Sequence, residues 1–294
     1  MSIQRVAILY GGPSPEAKIS EKSAKEVKDA LDKLGYEAFL IEFSPTFIQD
    51  IKSAFTDKVF ICMHGIPGEE GRIQGTFELI NIPYTGSSYD ASFKAADKEI
   101  SKLIFIENNI PTPKYKIIKN EEDLLTWNIF PAVIKPCKLG SSLGVQLIEN
   151  KKEIFEIFEK IKDLDEKFII EDFIDGKELS IGILNRKPLE IVEIVPQGKI
   201  FSYEDKYISS HTKYICPAQI ENDIKNEIKN YAQKIWDIFK FKGAVRIDLR
   251  LKDNKPYFLE VNTIPGLTRR SLLPLSAQGA GISFEDLIHE ILLS

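Results

Sequence analysis

One stretch, residues 243–266, constrains the fold more than any other part of the chain. In its first half apolar residues alternate with polar ones, at Val245, Ile247, Leu249 and Leu251. The run 253–256, with the sequence Asp-Asn-Lys-Pro, predicts a turn, and the alternation then resumes from Tyr257 to Asn262. A period of two is typical of a strand with one buried face. The stretch therefore predicts a β-hairpin.

The polar face of this hairpin carries side chains that suit a metal ion and an anion. Side chains two apart on a strand share a face, which places Arg246 beside Asp248 and Glu260 beside Asn262. Carboxylate and carboxamide oxygens, without Cys or His, are typical ligands of Mg²⁺ or Mn²⁺. A neighbouring guanidinium suits a phosphate or an oxyanion. A solvated outer face is the alternative interpretation, and the hairpin alone does not decide between the two.

The composition indicates a globular protein of two or three domains. The chain has 294 residues, of which 43% are hydrophobic and 28% charged, and its formal net charge is −5. No basic run suggests a nucleic-acid partner, and no apolar run approaches the ~20 residues that span a membrane. The three cysteines are too far apart for a zinc site or a disulfide framework. With no signal-peptide pattern at the start, we expect a cytoplasmic protein.

The first third of the chain predicts an open parallel α/β sheet. A short apolar strand, Val6 to Tyr10, ends in two glycines. A helix follows, with Ser20 as its expected N-cap and Gly35 closing it. Further strands are expected at 38–41 and 59–63. This order of strand, glycine turn, helix and strand is typical of α/β domains.

Two polar residues, Glu16 and His64, stand where a ligand of such a sheet binds. Each follows the carboxyl end of a predicted strand, which is the edge where open α/β sheets bind their ligands. A carboxylate there suits a substrate ammonium group. Structural interpretations stay open for both residues: the helix dipole favours an acid at a helix start, and a histidine is often a hydrogen-bonded core residue.

The middle third predicts a second, mixed α+β unit whose notable feature is a loop at 135–144. A helical stretch at 90–108 precedes this unit and carries Lys98. The loop joins predicted strands at 132–134 and 145–148 and contains two glycines, two serines and two lysines. Glycines let a backbone approach a ligand, and successive amides can cradle phosphate oxygens. A polar hairpin tip without a ligand is the alternative.

The same loop also raises a serine hydrolase as a rival. Residues 140–144 match the pattern G-x-S-x-G around Ser142, and Asp248 and His289 follow in hydrolase order. A nucleophile elbow needs a helix directly after the serine, whereas 145–148 is predicted as a strand. The context therefore argues against a hydrolase.

Two further segments of the chain are notable. Glu171 and Glu178 flank a glycine turn between predicted strands, where they suit either nucleotide contacts or ordinary edge charges. The tyrosine-rich stretch 201–214 is polar and long for a loop in a compact domain, which is typical of a lid.

Taken in order, these motifs resemble one family. The series is Gly-Gly-x-Ser-x-Glu, His-Gly with Gly-Glu-Glu-Gly, Pro-Tyr-Thr-Gly-Ser, Asp-Lys, Lys-Pro-x-x-x-Gly-Ser-Ser-x-Gly, Glu-x-Phe-Ile-x-Gly-x-Glu, Tyr-Glu-x-Lys-Tyr, Arg-Ile-Asp, Glu-Val-Asn-Thr-x-Pro-Gly-x-Thr and Ser-Leu-x-Pro. It resembles the D-alanine–D-alanine ligases of the ATP-grasp superfamily, from Val6 to Leu293. The resemblance implies α/β and α+β architecture: an N-terminal open parallel sheet domain, a central ATP-grasp subdomain and a C-terminal antiparallel-sheet ATP-grasp subdomain.

The resemblance implies a set of nucleotide and metal contacts. ATP and two Mg²⁺ or Mn²⁺ ions are the implied cofactors. The implied phosphate contacts are Lys98 and Lys135, and the flap over the phosphates spans Ser141, Ser142 and Gly144. The implied adenine and ribose contacts are Glu171 and Glu178. The implied metal ligands are Asp248, Glu260 and Asn262.

The resemblance also implies how two D-alanines are bound and joined. Glu16 and, with it, His64 match the site of the first substrate, and Ser271 and Leu272 match the site of the second substrate's carboxylate. The implied oxyanion hole consists of Arg246 and the backbone amide of Gly266. Glu16, Ser141 and Tyr207 match a hydrogen-bonded triad that closes the lid, with Lys206 beside it. The partners expected are ATP and D-alanine, with no nucleic acid, no membrane and a second copy of the chain in a homodimer.

The expected domains are residues 1–88, 89–178 and 179–294. Two positions depart from the family pattern: Ala17 follows the motif glutamate in place of Arg or His, and Leu139 precedes Gly140 in place of an acid. They motivate the alternative of a degenerate, non-catalytic ATP-binding protein. A ligase for another amino-acid pair, or for D-alanyl-D-lactate, is the other alternative that the motifs leave open.

Overall fold

A computed structural model describes residues 3–162, 164, 166–207 and 211–294, with only the backbone of Tyr203 and Tyr207. Three sheets organise the described chain. The first part comprises β1 (Arg5–Tyr10), α1 (Ala17–Lys33), β2 (Glu37–Glu42), α2 (Phe47–Ser53), β3 (Lys58–Ile61) and α3 (Arg72–Leu79). Its strands pair in parallel in the order β2-β1-β3, which confirms the predicted open parallel sheet.

The two faces of β1 are buried in different clusters. Val6 and Ile8 pack with α1 on one face, and Ala7 and Leu9 pack with α2 and α3 on the other. Apolar residues on both faces explain why β1 is a continuous apolar run rather than an alternating one, as strands covered on both sides are.

The predicted start of the first helix was wrong. The helix begins at Ala17, with Glu16 in the N-cap position, and Ser20 lies in its first turns. The residues of the first turn were not predicted as helical, because the helical spacing of apolar residues begins only at Ala24, where the helix meets the core. The Ser20 hydroxyl instead donates to the Cys62 carbonyl (2.8 Å) and accepts from the Gly11 amide (2.8 Å), so it links the carboxyl ends of β1 and β3.

The helical stretch predicted at 90–108 is two helices, α4 (Tyr89–Ala96) and α5 (Lys98–Glu107). Asp97 breaks it, because this residue has an extended backbone (φ −91°, ψ 110°). Its side chain accepts a hydrogen bond from the Glu99 amide (2.9 Å) and so caps α5. The break places Lys98 at the first position of a new helix.

The central sheet is antiparallel, in the order β4-β7-β5-β6. The segment comprises β4 (Tyr115–Ile118), α6 (Glu121–Leu125), β5 (Ala132–Pro136), β6 (Gln146–Ile148), a 3₁₀ turn (Lys151–Glu153), α7 (Ile154–Ile161) and β7 (Phe168–Asp172). Buried residues of β5, β7 and the two helices form one cluster that includes Ile134, Ile157 and Ile170. The sheet is thus covered on one face by α6 and α7.

The third sheet has five antiparallel strands in the order β10-β9-β8-β11-β12. Its segment comprises β8 (Lys177–Leu184), β9 (Lys187–Val195), α8 (Tyr203–Tyr207), β10 (Lys213–Ile215), α9 (Asn222–Phe239), β11 (Ala244–Lys252), β12 (Lys255–Asn262), α10 (Leu272–Gly279) and α11 (Phe284–Leu293). The expected lid loop at 201–214 therefore contains a short helix and a strand. Since β8 begins at Lys177, the boundary predicted after residue 178 falls inside this strand.

The predicted hairpin is present, with strands β11 and β12. Asp253 and Asn254 both have positive φ (49° and 60°), as a two-residue type I′ turn requires. A β-bulge next to Asp248 shifts the register by one residue relative to the pairs that follow from the turn. Beyond this bulge Asp248 lies opposite Glu260, and Arg246 lies opposite Asn262, so the polar faces of the two strands coincide.

The end of the described chain packs against its beginning. Leu287 and Ile288 of α11 belong to the same buried cluster as Val6 and Ile8 of β1. Lys58 of β3 donates to the carbonyl oxygens of Leu292 (2.8 Å) and Ser294 (2.5 Å). A membrane-crossing helix is not found in the part of the chain that the structure describes.

Truncation of Phe105 tests the packing of α5. Its ring is fully buried and meets the ring of Phe239 of α9 edge-on at 6.0 Å. We expect Phe105→Ala to lower the free energy of unfolding by about 3–5 kcal/mol, through lost burial and a cavity. The matched control is Phe155→Ala, whose side chain is 63% exposed and whose effect should stay within about 0.5 kcal/mol. Chemical denaturation measures both, and equal effects would contradict the packing.

Candidate active site

A cavity of about 370 Å³ lies where the three sheets' loops converge. The residues that line it come from the start of α1, the loop after β3, the glycine-rich loop, α8, the hairpin and the loop after β12. They include Glu16, His64, Glu69, Lys98, Gly140, Ser141, Lys206, Arg246, Glu260, Asn262, Gly266, Thr268, Arg270, Ser271 and Leu272. Segments that are far apart in the sequence thus form one chemical environment.

The polar face of the hairpin turns into this cavity, not into open solvent. Arg246 pairs with Asp248 (Nη2 to Oδ2, 2.8 Å), and both side chains are largely buried. Ser180 of the neighbouring strand β8 donates to Asp248 Oδ1 (2.7 Å). Asn262 Oδ1 accepts from the Ile264 amide (2.9 Å). These contacts fix the direction of each side chain.

Two carboxylates and a carboxamide on adjacent strands suit Mg²⁺ or Mn²⁺. Asp248 and Glu260 lie directly opposite each other on the paired strands, so their oxygens can bind the same ion. One or two carboxylates plus phosphate oxygens are what Mg²⁺ usually takes from a protein. In the described residues no cluster of three or more His, Cys, Asp or Glu is found, so phosphates would complete the coordination.

Lysines surround Glu260 and hold it ionised. Lys98 Nζ lies 3.4 Å from Glu260 Oε2 and donates to the Leu139 carbonyl of the glycine-rich loop (2.8 Å). Burial alone raises the pKa of the Glu260 carboxyl, but the charges of Lys98, Lys135, Lys206 and Arg246 outweigh it and lower that pKa well below its usual range. Burial lowers the pKa of Lys206, and Glu260 opposes the shift.

Glu171 lies between two lysines. Its Oε1 is 2.5 Å from Lys135 Nζ, and its Oε2 is 2.7 Å from Lys102 Nζ. Lys135 and Glu171 were predicted from the sequence, whereas Lys102 was not. The available signal was the spacing of Lys98 and Lys102, which are one helical turn apart and so share a face of α5.

Arg250 holds Glu178 and was also missed. Its Nη2 lies 2.6 Å from Glu178 Oε2 and also donates to the Lys199 carbonyl (2.6 Å). Its guanidinium lies 4.8 Å from the centre of the Phe173 ring. Burial raises the pKa of Glu178, and Arg250 counteracts that rise. Arg250 is two residues beyond Asp248 on β11, so the period of two already placed it on the same face.

Glu16 and Ser141 meet from opposite sides of the cavity, and the Ser141 hydroxyl donates to a Glu16 carboxylate oxygen. Burial and the charge of Glu69 raise the pKa of Glu16, and the hydrogen bond from Ser141 opposes that rise. His64 Nδ1 lies 3.1 Å from the Ile264 carbonyl oxygen and 3.4 Å from Glu69 Oε1. The third member of the expected triad, the Tyr207 side chain, lies outside the described part of the structure.

The glycine-rich loop has a strained backbone. Ser141 and Ser142 both have positive φ (51° and 58°), which is uncommon for residues other than glycine. A side chain at Gly144, whose φ is +72°, would place Cβ 2.9 Å from the ring of Pro136. Such strain is typical of ligand-binding loops.

The serine hydrolase hypothesis is wrong, because its three residues do not meet. The Ser142 hydroxyl donates to the Phe201 carbonyl (2.8 Å). His289 lies on α11, which packs against the first sheet, and it contacts the Tyr36 hydroxyl (3.1 Å). The strand β6 follows the serine loop, so no nucleophile elbow is formed.

The loop after β12 lines the far end of the cavity. Gly266 faces Ser271, and a Cβ at Gly266 would lie 3.0 Å from the Ser271 hydroxyl. The hydroxyls of Thr268 and Ser271 are 2.8 Å apart. Together with Leu272 at the start of α10, these residues make a small polar recess beside Arg246.

A parallel α/β domain beside two antiparallel sheets that enclose a cleft of lysines and carboxylates defines an ATP-grasp enzyme. The family described as "D-ala D-ala ligase N-terminus" matches residues 44–87, and "D-ala D-ala ligase C-terminus" matches residues 94–293. The chain belongs to the D-alanine–D-alanine ligase family.

Individual relatives match over nearly the whole chain. The D-alanine–D-alanine ligase of Aquifex aeolicus is 38% identical over 98% of this chain and 99% of its own. That of Syntrophotalea carbinolica is 34% identical over 98% and 95%. The crystal structure of the Bacillus anthracis ligase complexed with ATP has a TM-score of 0.85 and 31% identity, and the match covers 99% of this chain and 96% of that one.

The depressed pKa of Glu260 predicts a pH dependence of stability. Unfolding returns the carboxyl to its ordinary pKa of about 4.3, so below that pH the unfolded state binds the proton first. The stability that Glu260 contributes is therefore complete above about pH 4.3 and is lost as the pH falls further towards its folded pKa. We expect wild type to lose more stability between pH 6 and 3 than Glu260→Gln does, as measured by denaturant unfolding. Parallel losses in the two proteins would contradict the prediction.

Proposed function

We propose that this enzyme joins two D-alanines to D-alanyl-D-alanine for peptidoglycan, with conversion of ATP to ADP. Membership of the ligase family gives the reaction class. The observation that carries the proposal is the polar face of the hairpin, where Arg246, Glu260 and Asn262 line one cavity with Lys98. Asp248 belongs to the same face, opposite Glu260 and paired with Arg246. Such a face suits the transfer of a phosphoryl group and the stabilisation of an oxyanion.

The nucleotide is bound between the two antiparallel sheets in this proposal. Lys98 and Lys135 contact the phosphates, and the backbone amides of 141–144 cover them. Glu171 contacts the adenine and Glu178 the ribose. Asp248, Glu260 and Asn262 hold two Mg²⁺ or Mn²⁺ ions. When bound, these ions neutralise the charge of the triphosphate.

In the first step, Glu16 binds the ammonium group of one D-alanine, with His64 beside it. The carboxylate oxygen of that D-alanine then attacks the γ-phosphorus. The bond from this phosphorus to the β-phosphate oxygen breaks, and D-alanyl phosphate and ADP form. The contact of Ser141 with Glu16 closes the cavity from the side of the glycine-rich loop, and Tyr207 and Lys206 belong to the same closure.

In the second step, the free amine of the other D-alanine attacks the acyl carbon of D-alanyl phosphate. Ser271 and Leu272 bind the carboxylate of this second substrate. Arg246 and the Gly266 amide stabilise the oxyanion of the tetrahedral intermediate. The intermediate expels phosphate, the amine loses a proton, and the peptide bond is complete.

A catalytic protein is favoured over a degenerate one. The side chain of Leu139 departs from the family pattern. Lys98, however, contacts the backbone carbonyl of Leu139, which any residue at that position supplies. Ala17 is the first residue of α1, and the carboxylate beside it, Glu16, is retained. A D-alanyl-D-lactate ligase is disfavoured because Lys206-Tyr207 resembles the peptide-forming ligases.

The test is ADP formation with D-alanine, against L-alanine and against D-alanine plus D-lactate. We expect turnover with D-alanine alone, and a loss of at least about a hundredfold in Glu260→Gln, because one carboxylate of the metal site is removed. Glu156→Gln is the control, since that side chain is 72% exposed and pairs with Lys160 on its own helix. Faster reaction with D-lactate, or ATP binding without ADP formation, would overturn the proposal.

We also propose a division into three domains at 1–88, 89–176 and 177–294, with the last boundary set by the start of β8 at Lys177. A cytoplasmic location is proposed as well. All three cysteines are free, which fits a reducing compartment.

A homodimer through the N-terminal domain completes the proposal. The helices α2 and α3 pack together on one face of the first sheet, through Phe47 and Phe77 (ring centres 6.2 Å apart). At their ends Phe55 is 82% and Leu79 86% exposed, and large exposed apolar side chains are typical of interfaces. We expect Phe55→Glu with Leu79→Glu to shift the sedimentation coefficient from dimer to monomer. A sedimentation coefficient that stays unchanged in this variant would contradict the interface.

A further inference from the structure

Lys102 is a buried lysine that the mechanism above does not use. Its side chain has no exposed surface, and it is absent from the described residues that line the cavity. Lysines are almost never fully buried unless they are paired. A charge in such a position calls for a role beyond simple packing.

The contacts of Lys102 connect three parts of the fold. Its Nζ lies 2.7 Å from Glu171 Oε2 of β7 and donates to the Thr112 hydroxyl (2.8 Å). Thr112 in turn donates to the Phe258 carbonyl of β12 (2.8 Å). The same Nζ lies 5.5 Å from the centre of the Tyr115 ring. Lys102 is therefore anchored to the central sheet and to the C-terminal sheet at once.

Lys102 is positively charged near neutral pH. Burial lowers its pKa to about 8, and the neighbouring Glu171 opposes that shift. The group still carries its proton at pH 7, since the pH is then below its pKa. Its charge and that of Lys135 outweigh the burial of Glu171 and lower the pKa of that carboxyl.

The two lysines at Glu171 have different freedom. Lys135 is one of the proposed phosphate contacts, and a triphosphate competes with Glu171 for its ammonium group. The Lys102 side chain has no exposed surface, whereas that of Lys135 is 7% exposed, and Thr112 holds Lys102 in place. When Lys135 turns to the phosphates, Lys102 remains on Oε2, and Oε1 is left able to accept a hydrogen bond.

We infer that Lys102 is a positioning residue for nucleotide selection: it orients Glu171 so that one carboxylate oxygen accepts from the exocyclic amino group of adenine. A guanine presents a carbonyl oxygen at that position, and two acceptors repel each other. The inference deepens the proposed function, because it rests on nucleotide binding at that site.

Equilibrium binding of ATP and of GTP, measured by calorimetry without D-alanine, tests the inference. In Lys102→Met, Lys135 remains paired with Glu171. ATP then loses the contact of its adenine with Glu171 and part of the contact of its phosphates with Lys135. GTP loses only part of the phosphate contact. We expect the ratio of ATP to GTP affinity to fall about tenfold, as for a lost hydrogen bond to a charged group. Lys116→Met is the matched control, since Lys116 is partly exposed and pairs with Asp123 on the same subdomain.

A double-mutant cycle separates positioning from mere stability. If Lys102 acts through Glu171, Lys102→Met causes no further change of the ATP-to-GTP ratio in a Glu171→Gln background. The inference would be overturned if the two substitutions changed the ATP-to-GTP affinity ratio additively. It would also be overturned if Lys102→Met kept the wild-type ratio and only lowered the midpoint of unfolding. Thr112→Val keeps the size of the side chain and removes the anchor, so it gives the same direction of change if Lys102→Met does not fold. Binding is measured without turnover, so a failure of the ligase reaction leaves this test intact.

Discussion

The structure depends on a group of opposite charges buried where its parts meet. Lys98 reaches Glu260 of β12, while Lys102 and Lys135 hold Glu171 of β7. Three lysines and Glu171, taken from α5 and from the central sheet, are thus almost fully buried, and Glu260 of the C-terminal sheet meets them at the cavity with 28% of its side chain exposed. Burial of any one of these charges alone would be strongly unfavourable. The elements that carry them are therefore held together by electrostatics as well as by apolar packing, and a polyanion is attracted to the excess of positive charge.

The hairpin shows what a sequence can predict. Alternation fixes which side chains of each strand share a face, and Asp253-Asn254 is a two-residue turn that sets the register of the residues next to it. That register alone would pair Asp248 with Leu259. A β-bulge beside Asp248 shifts the pairing by one residue and brings Arg246, Asp248, Glu260 and Asn262 onto one surface. The hairpin and its turn followed from the sequence, whereas the bulge did not.

Lys102 and Arg250 show where sequence reasoning stops. Each occupies an ordinary position in a regular element, where a charged side chain is usually solvated. Burial of Lys102 becomes favourable only because it pairs with Glu171. Glu171 is 69 residues away in the sequence, and the strand order of the central sheet places it next to α5. The break between α4 and α5 was missed although its signal is local, because Asp is unfavourable inside a helix and favoured as an N-cap, which is the position that Asp97 takes in α5.

The contact between α11 and the first sheet links the two ends of the described chain. Lys58 bonds to carbonyls 234 and 236 positions away, and Leu287 and Ile288 complete the apolar layer beside Val6 and Ile8. Contacts of such long range form late and slow the search for the native state. During synthesis, the N-terminal sheet consequently leaves the ribosome with part of its apolar surface uncovered. That surface is sealed only after α11 has emerged as well.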